Sequence, residues 1–424
     1  MISLLKKYPH ILLFGILQIV FTAPGQTFLI SLFVGPIFSD LNLSISLFAG
    51  LYSIATVLAA LLLNPVGRLI DKMSLRPILF GMTSLMAIGC FMLANASTKW
   101  ELGIAFFLLR FIGQGGFGLA ASTIITKTFH KNRGKALSLI TLGFPLSEII
   151  YPFLSLLAIQ AFGWQFTYVL FGVSTLVLMV PIQFYLIHKA KIQKAVFYPE
   201  EIIVQAQRLR GTPETRVLHA SKDYTLKAVL KDPIFYCCLL ASAVPPVVMT
   251  GLFFHQNSLF LENQWPISLA ATGLSLYALF KAIFALGIGP TIDKQGPIYP
   301  FASLVAMIGL GTLIASSGGP VFLILIYFSI LGAALGMSAP VMNCLWALLY
   351  GTKHIGSIKG FIGTFRNGIT AFGPLPIAIL MDDGFSIQTI LYVCSGVIFF
   401  LAIIPILVQR FDPRLSQSHL NGTT

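Results

Sequence analysis

Four ionisable side chains other than histidine stand deep inside long apolar stretches of this 424-residue chain: Arg110, Glu148, Lys281 and Arg366. A charge at the centre of a lipid bilayer costs on the order of 3 kcal/mol on insertion scales, so each needs a partner or a wet cavity. Charges retained at that cost usually serve binding or transport, which makes these residues the first candidates for a functional site.

Arg110 and Glu148 can compensate one another. At about 1.5 Å of rise per residue, Arg110 lies roughly 26 Å from Lys127 and Glu148 roughly 20 Å from Lys135, which stand at the corresponding ends of their stretches. The two side chains therefore differ in level by about one helical turn. We expect a pair that either is purely structural or couples transport to protons through Glu148.

Lys281 and Arg366 lack such an acid. Lys281 lies about 20 Å from Lys294, and Arg366 about 10 to 20 Å from the same face of the membrane. No carboxylate stands at similar depth in the second half of the sequence. Two cations without an acid imply a missing anion, so both are predicted to bind a substrate carboxylate. The alternative is that they snorkel or bond to carbonyls freed by a broken helix.

The elements that carry these charges are membrane helices. Hydrophobic residues make up 56% of the chain and charged residues 10%, with a mean hydropathy of +0.87, whereas a soluble domain has about 25% charged residues. Runs of roughly 20 apolar residues suit helices that cross a bilayer, and a membrane β-barrel would instead show alternating segments of about ten. We predict an all-α integral membrane protein with twelve transmembrane helices, spans 1 to 12, at about 11–38, 43–66, 77–96, 102–126, 136–162, 164–187, 232–261, 267–289, 297–316, 320–350, 355–381 and 386–408.

An internal repeat organises the spans. The segment 67–76, between spans 2 and 3, reads Gly-Arg-Leu-Ile-Asp-Lys-Met-Ser-Leu-Arg, and its Gly-x-x-Ile-Asp-Lys core returns 222 residues later between spans 8 and 9. Such repeats mark many secondary transporters. We predict two pseudo-symmetric six-helix halves, 1–187 and 232–409, with a cytoplasmic linker at 188–231 and a cytoplasmic tail at 410–424. The predicted cytoplasmic gate motif consists of Gly67, Asp71, Lys72, Arg76, Gly289, Asp293 and Lys294.

Prolines predict helix breaks at matching positions of the two halves. Span 1 is interrupted by Ala23-Pro24-Gly25, and Pro245-Pro246 stand at the same offset in span 7. Gln26 and Thr27 beside the first break offer hydrogen bonds to a substrate, or else satisfy freed backbone groups. His255, farther along span 7, is a possible gate residue or a packing residue.

Charge placement orients the chain and excludes other partners. The formal net charge is +13, and most Lys and Arg residues fall in alternate loops. The positive-inside rule then places both termini in the cytoplasm, and no nucleic-acid partner is needed to explain the charge. The five cysteines show no spacing typical of a zinc site or a disulfide framework, so no metal and no cofactor is expected.

Two sets of residues resemble a known family. Gly67, Asp71, Lys72 and Arg76 resemble the cytoplasmic loop signature of the major facilitator superfamily, and Arg110 with its following glycines resembles that superfamily's span 4 motif. The resemblance covers the chain up to its tail. It implies the major facilitator fold, in which two halves move about a central substrate site.

Within that superfamily the chain is similar to bacterial relatives of monocarboxylate transporters and oxalate:formate antiporters. The similarity lies in the segments 25–28, 133–136 and 225–235. It implies an organic anion as substrate, with the cations in spans 8 and 11, here Lys281 and Arg366, bound to its carboxylates. It also implies a bacterial inner membrane as the location.

The sequence thus predicts a monomeric secondary transporter that moves a mono- or dicarboxylate by proton symport or anion exchange, with protons or a counter-anion as partners in the lipid bilayer. The alternative is a carrier of amphipathic compounds or of a metal-chelating polycarboxylate such as a siderophore, because 12% aromatic residues could line a larger pocket. A membrane enzyme is not expected, since no nucleophile with a base, metal cluster or extramembrane domain is recognisable. A signalling receptor would need a larger output segment than the linker or the tail.

Overall fold

The computed structural model describes residues 2–41, 43–72, 74–129, 133–190, 223–351 and 354–412. Within these ranges the chain consists of α-helices with short 3-10 and π-helical segments, and the described residues contain no strand. The predicted all-α class is confirmed.

Ten α-helices are described before residue 191. They are α1 (Ile2–Lys7), α2 (Pro9–Val20), α3 (Thr27–Leu41), α4 (Ile45–Lys72), α5 (Leu75–Ala94), α6 (Lys99–Leu109), α7 (Phe117–Thr128), α8 (Arg133–Thr141), α9 (Gly143–Ser174) and α10 (Val180–Ala190).

Ten more are described after residue 222. They are α11 (Leu226–Val229), α12 (Pro233–Phe254), α13 (Gln256–Glu262), α14 (Leu269–Gly287), α15 (Gly289–Gln295), α16 (Ile298–Ser317), α17 (Phe322–Tyr350), α18 (Ile355–Ile369), α19 (Pro374–Asp382) and α20 (Ile387–Phe411).

Ten segments of the described chain are long and apolar enough to cross a membrane. One of them, at 136–190, contains both predicted spans 5 and 6, which meet inside α9 at Gly163, where φ is +82°. Predicted span 11 is divided among α18, a 3-10 turn and α19, and is not one of the ten. The chain is a multi-pass membrane protein, and the exact number of twelve spans stays a prediction.

The helices group into two compact units, one from residues 1–43 and 51–216 and the other from residues 44–50 and 217–424. The predicted limits at 187, 231 and 409 stay predictions. Residues 191–222, which hold most of the predicted linker, and 413–424, which hold most of the predicted tail, lie outside the described residues.

Span 1 is broken where the sequence predicts it. Helix α2 ends at Val20, a 3-10 turn covers Ala23–Gly25, and α3 begins at Thr27. Proline removes a backbone donor, which ends the regular helix here. A Cβ atom on Gly25 or Gly113 would overlap the other residue's backbone, so glycine at both positions allows this crossing of spans 1 and 4.

The predicted break at Pro245-Pro246 in span 7 is wrong. Both prolines lie inside the continuous helix α12, and the helix is interrupted at His255 instead, before α13 begins at Gln256. A proline in a membrane helix can be accommodated when neighbouring groups satisfy the freed backbone. The carbonyls that the two prolines free are those of Ala241 and Ser242, four residues earlier. The hydroxyl of Thr250 adds a hydrogen bond of 2.7 Å to the carbonyl of Pro246 one turn farther on.

An acid at the end of the first span of each unit contacts the start of that unit's last span. Asp40 Oδ2 accepts hydrogen bonds from Trp164 Nε1 at 2.7 Å and Gln165 Nε2 at 2.9 Å. Glu262 Oε2 accepts one from the backbone N–H of Ile387 at 3.1 Å. Glu262 follows Asp40 by 222 residues, the offset of the sequence repeat. We call these two sets of hydrogen bonds the span-end contacts.

Candidate functional site

Arg110 is the buried cation of the first unit's site, with 1% of its surface exposed. It opens a π-helical segment, Arg110–Gly116, that joins α6 to α7. Its Nε donates to Thr56 Oγ1 at 3.0 Å, and its Nη1 donates to the Gly25 carbonyl and to Thr27 Oγ1, both at 3.1 Å. Helix ends leave carbonyls without intrahelical donors, and the break in span 1 supplies one of them to the guanidinium.

An aromatic ring completes the surroundings of Arg110. Its guanidinium carbon lies 4.7 Å from the centroid of the Tyr52 ring, which is within the range of a cation–π contact. The Tyr52 hydroxyl in turn shares a 2.7 Å hydrogen bond with Thr27. Arg110 Nη2 is buried and has no hydrogen-bond partner among the described residues. The guanidinium is thus bound by neutral oxygens and a ring, and its Nη2 has no acceptor among the described residues.

The structure brings Arg110 of span 4 close to Gln26 and Thr27 of span 1, which the sequence singled out for a different reason. Thr27 contacts Arg110 directly, and Gln26 donates from Nε2 to the carbonyl of Gly113 in the π-helical segment at 3.1 Å. Both predicted uses of these two residues remain open, since each bonds to protein groups beside a buried cation. Sequence reasoning missed Tyr52 and Thr56, which lie on α4 and carry no charge to mark them in an apolar span.

Glu148 lies on α9 with 4% of its surface exposed. A carboxyl group at that depth needs polar surroundings. The hydrogen bonds of Arg110 described above go to other groups, and the pairing of Glu148 with Arg110 stays a prediction.

In the second unit, Lys281 lies on α14, one turn after Tyr277. Its Nζ lies 5.3 Å from the centroid of the Tyr277 ring, and that ring packs edge-on against Phe253 of α12 at 5.4 Å. A Cβ atom on Gly336 of α17 would overlap the carbonyl oxygen of Lys281. Glycine at this position lets α17 pack on the backbone side of Lys281.

Arg366 lies on α18, just before the 3-10 turn Thr370–Phe372 that interrupts span 11. Its Nε is buried and has no hydrogen-bond partner among the described residues. A buried N–H without an acceptor is costly, because the group has lost water and gained no replacement. Arg366 therefore offers an anion a directed donor.

His255 joins two interrupted spans within the second unit. Its Nε2 lies 2.9 Å from the carbonyl oxygen of Pro374, the first residue of α19, and 3% of its surface is exposed. Gly251 and Gly373 also meet backbone to backbone, since a Cβ atom on either would crowd the other. The residue predicted as a possible gate thus ties the break of span 7 to the restart of span 11.

The predicted gate motif is described only in part. Helix α4 ends at Lys72 and α5 begins at Leu75, while Gly289 begins α15. Arg76 and Lys294 are exposed. The side chains of Asp71, Lys72 and Asp293 lie outside the described part, so a latch formed by them stays a prediction. Among the described residues there is no cluster of three or more His, Cys, Asp or Glu that could hold a metal.

Apolar helices broken at glycine and proline, with cations at positions inside them, are typical of a multi-pass membrane protein of the transporter class. Residues 16–374 match the family model of the Major Facilitator Superfamily, so the chain belongs to that superfamily. It is accordingly a transporter and not an enzyme.

Similar proteins agree with this assignment. The 4-hydroxybenzoate transporter PcaK of Acinetobacter baylyi (strain ATCC 33305 / BD413 / ADP1) is 26% identical over 334 residues, 73% of this chain and 71% of that protein. The crystal structure of a point mutant of the peptide transporter POT matches with a TM-score of 0.72 and 15% identity, covering 95% of both chains. That of the nucleoside transporter NupG matches with a TM-score of 0.68 and 15% identity, covering 96% of this chain and 99% of NupG. These two likenesses confirm the predicted fold.

Proposed function

We propose that the chain is a secondary active transporter of a small organic anion, a mono- or dicarboxylate, driven by proton symport or anion exchange. The observation that carries the proposal is the buried Nε of Arg366, which lacks an acceptor among the described residues. A second cation, Lys281, lies in the same unit. The likeness to a transporter of 4-hydroxybenzoate, itself a carboxylate, supports this class of substrate.

In the proposed mechanism Lys281 and Arg366 bind the substrate carboxylate, and the two halves alternate in exposing it to each side of the membrane. Arg366 offers a planar donor edge, and Lys281 offers a compact charge beside the Tyr277 ring. For coupling to occur, the anion must bind the two conformations with different free energies. The loops carrying Asp71 and Asp293 would close one face of the molecule in one of these conformations.

The proposal also places the protein in a bacterial inner membrane, as its resemblance to bacterial transporters implies. The Lys and Arg distribution supports a cytoplasmic position for both termini. Reporter fusions at the two termini test this orientation. A periplasmic signal from either terminus would contradict it.

Uptake of labelled carboxylates into proteoliposomes under an imposed pH gradient tests the substrate site. We expect Lys281→Gln and Arg366→Gln each to lower the kcat/KM of uptake by about tenfold to a hundredfold, because each removes a charge-assisted bond to the carboxylate. Arg366→Lys should recover part of the loss, since it keeps the charge without the planar donor edge.

Lys359→Gln is the matched control, because Lys359 is an exposed cation on the same helix as Arg366. It should leave uptake within about twofold of wild type. Full activity in both site variants, or no carboxylate uptake by the wild type, would contradict the proposal. Either outcome would favour a carrier of amphipathic compounds or of a chelating polycarboxylate.

A further inference from the structure

Two polar side chains of the second unit are buried without hydrogen bonds and are not explained by the carboxylate site. Gln256 has 1% of its surface exposed, and neither its Oε1 nor its Nε2 has a partner among the described residues. Tyr327 is fully buried, and its hydroxyl also lacks a partner within the described chain. Together they present three buried atoms that can donate or accept, where native structures almost always satisfy such groups.

Contacts on either side of Gln256 place it near Tyr327. Phe253, three residues earlier, packs against Tyr277 of α14 at 5.4 Å. Phe260 stands one turn later on the same face as Gln256 and lies 6.5 Å from Phe328 of α17, the residue next to Tyr327. The side of α13 that carries Gln256 and Phe260 therefore faces α17, with Gln256 within about a turn of the level of Tyr327.

The distance from these groups to the two cations suits a small aromatic acid. Gln256 lies about 4.5 Å beyond Phe253 along span 7, and the backbone of Lys281 lies about 6 Å from that of Tyr277 in the opposite direction, which gives roughly 10 Å between the two backbone levels. By the second route, His255 is bonded to Pro374, and Arg366 precedes Pro374 by eight residues, or about 12 Å. A hydrogen bond of about 2.8 Å at each end leaves roughly 4 to 6 Å for the ligand. This is the length of a benzene ring substituted at opposite positions.

We propose that Gln256 and Tyr327 bind a hydroxyl group of the substrate, and that the substrate is a hydroxylated aromatic carboxylate. The amide oxygen accepts the hydroxyl proton, the amide N–H donates to the hydroxyl oxygen, and the Tyr327 hydroxyl supplies a further bond. This inference rests on the proposed carboxylate site and extends it to the other end of the ligand.

The test compares uptake of 4-hydroxybenzoate and benzoate, which differ only in the hydroxyl group, by wild type, Gln256→Leu and Tyr327→Phe in proteoliposomes. A site built to bond a hydroxyl discriminates strongly against the analogue that lacks it. We expect the wild type to prefer 4-hydroxybenzoate by tenfold or more in kcat/KM. Each variant should lose about tenfold for 4-hydroxybenzoate and stay within about threefold of wild type for benzoate.

Tyr350→Phe is the matched control, because it removes a buried tyrosine hydroxyl of the same helix, one that is bonded to Asp232 at 3.1 Å. It should change uptake of the two acids in parallel. Equal losses for both acids in the Gln256 and Tyr327 variants, or no loss, would overturn the inference and assign these atoms to a buried water molecule.

Failure of this inference is distinguishable from failure of the proposed function. If the wild type carries aliphatic carboxylates in a manner that requires Lys281 and Arg366 but carries neither aromatic acid, only the hydroxyl site is overturned. If no carboxylate of either kind is carried, both are overturned.

Discussion

At the scale of single residues, the buried Arg110 is held mainly by oxygens that are not ionised. Its partners are two threonine hydroxyls, one backbone carbonyl and a tyrosine ring. These groups compensate a guanidinium only partly, because a charge out of water is best balanced by an opposite charge. A substrate or a carboxylate that approaches Arg110 Nη2 in another conformation would therefore be bound more strongly than in water.

Glu148 is the residue through which we expect protons to couple to transport. In Glu148→Gln the side chain keeps its size but cannot exchange a proton. Uphill uptake driven by a pH gradient should fall at least tenfold, whereas exchange of labelled for unlabelled substrate, which needs no net proton movement, should stay within about threefold of wild type.

Both fluxes are measured in the same proteoliposomes, with Glu101→Gln as the control, because Glu101 is a half-exposed acid that caps the start of α6. Retained uphill uptake by Glu148→Gln would rule out the coupling role. A parallel loss of both fluxes would assign Glu148 to structure.

Residue types alone predicted the charges of the site but not their surroundings. Arg110, Glu148, Lys281 and Arg366 are recognisable because ionisable groups are rare in apolar spans. Tyr52, Gln256 and Tyr327 are uncharged and common in such spans, so what distinguishes them is which atoms they contact after folding. That information depends on packing between segments distant in sequence.

At the scale of elements, the breaks in spans 1 and 7 show which helix interruptions local sequence can predict. Pro24 ends a regular helix, as the sequence predicts, because proline lacks a backbone N–H. Gly25 beside it allows close contact with span 4. Pro245 and Pro246 do not end one, and the interruption comes at His255, whose ring contacts Pro374. The position of the second break is thus decided by a tertiary contact that no local pattern encodes.

The span-end contacts should contribute measurably to stability. Asp40→Ala removes a carboxylate that accepts two N–H groups, and Glu262→Ala removes one that accepts a single N–H. We expect losses of about 1 to 3 kcal/mol and about 1 kcal/mol respectively, the first larger because two charge-assisted bonds are lost. Thermal unfolding of the purified protein in detergent measures the difference.

Asp383→Ala is the control, because this exposed acid ends span 11 without a described side-chain hydrogen bond. It should change stability by less than about 0.5 kcal/mol. The two losses should add in the double variant, since the acids lie in separate units. An Asp40→Ala protein as stable as the control would contradict a stabilising role.

At the scale of the whole molecule, composition and repetition predicted the architecture. The low content of charged residues indicates a bilayer as solvent, and the 222-residue offset indicates two related halves. These two predictions rest on the composition and on the repeat of the entire chain. A local error, such as the misplaced break in span 7, therefore does not change them. The count of spans is harder, because spans 5 and 6 meet at Gly163 with hardly any polar sequence between them.

The span-end contacts also bear on how the two copies of the repeat can diverge. In the first unit the acid is bonded by the side chains of Trp164 and Gln165, so substitution of either donor removes a bond. In the second unit the donor is the backbone N–H of Ile387, which every amino acid except proline provides. Position 387 can therefore drift in evolution while Glu262 keeps its partner, whereas positions 164 and 165 are tied to Asp40.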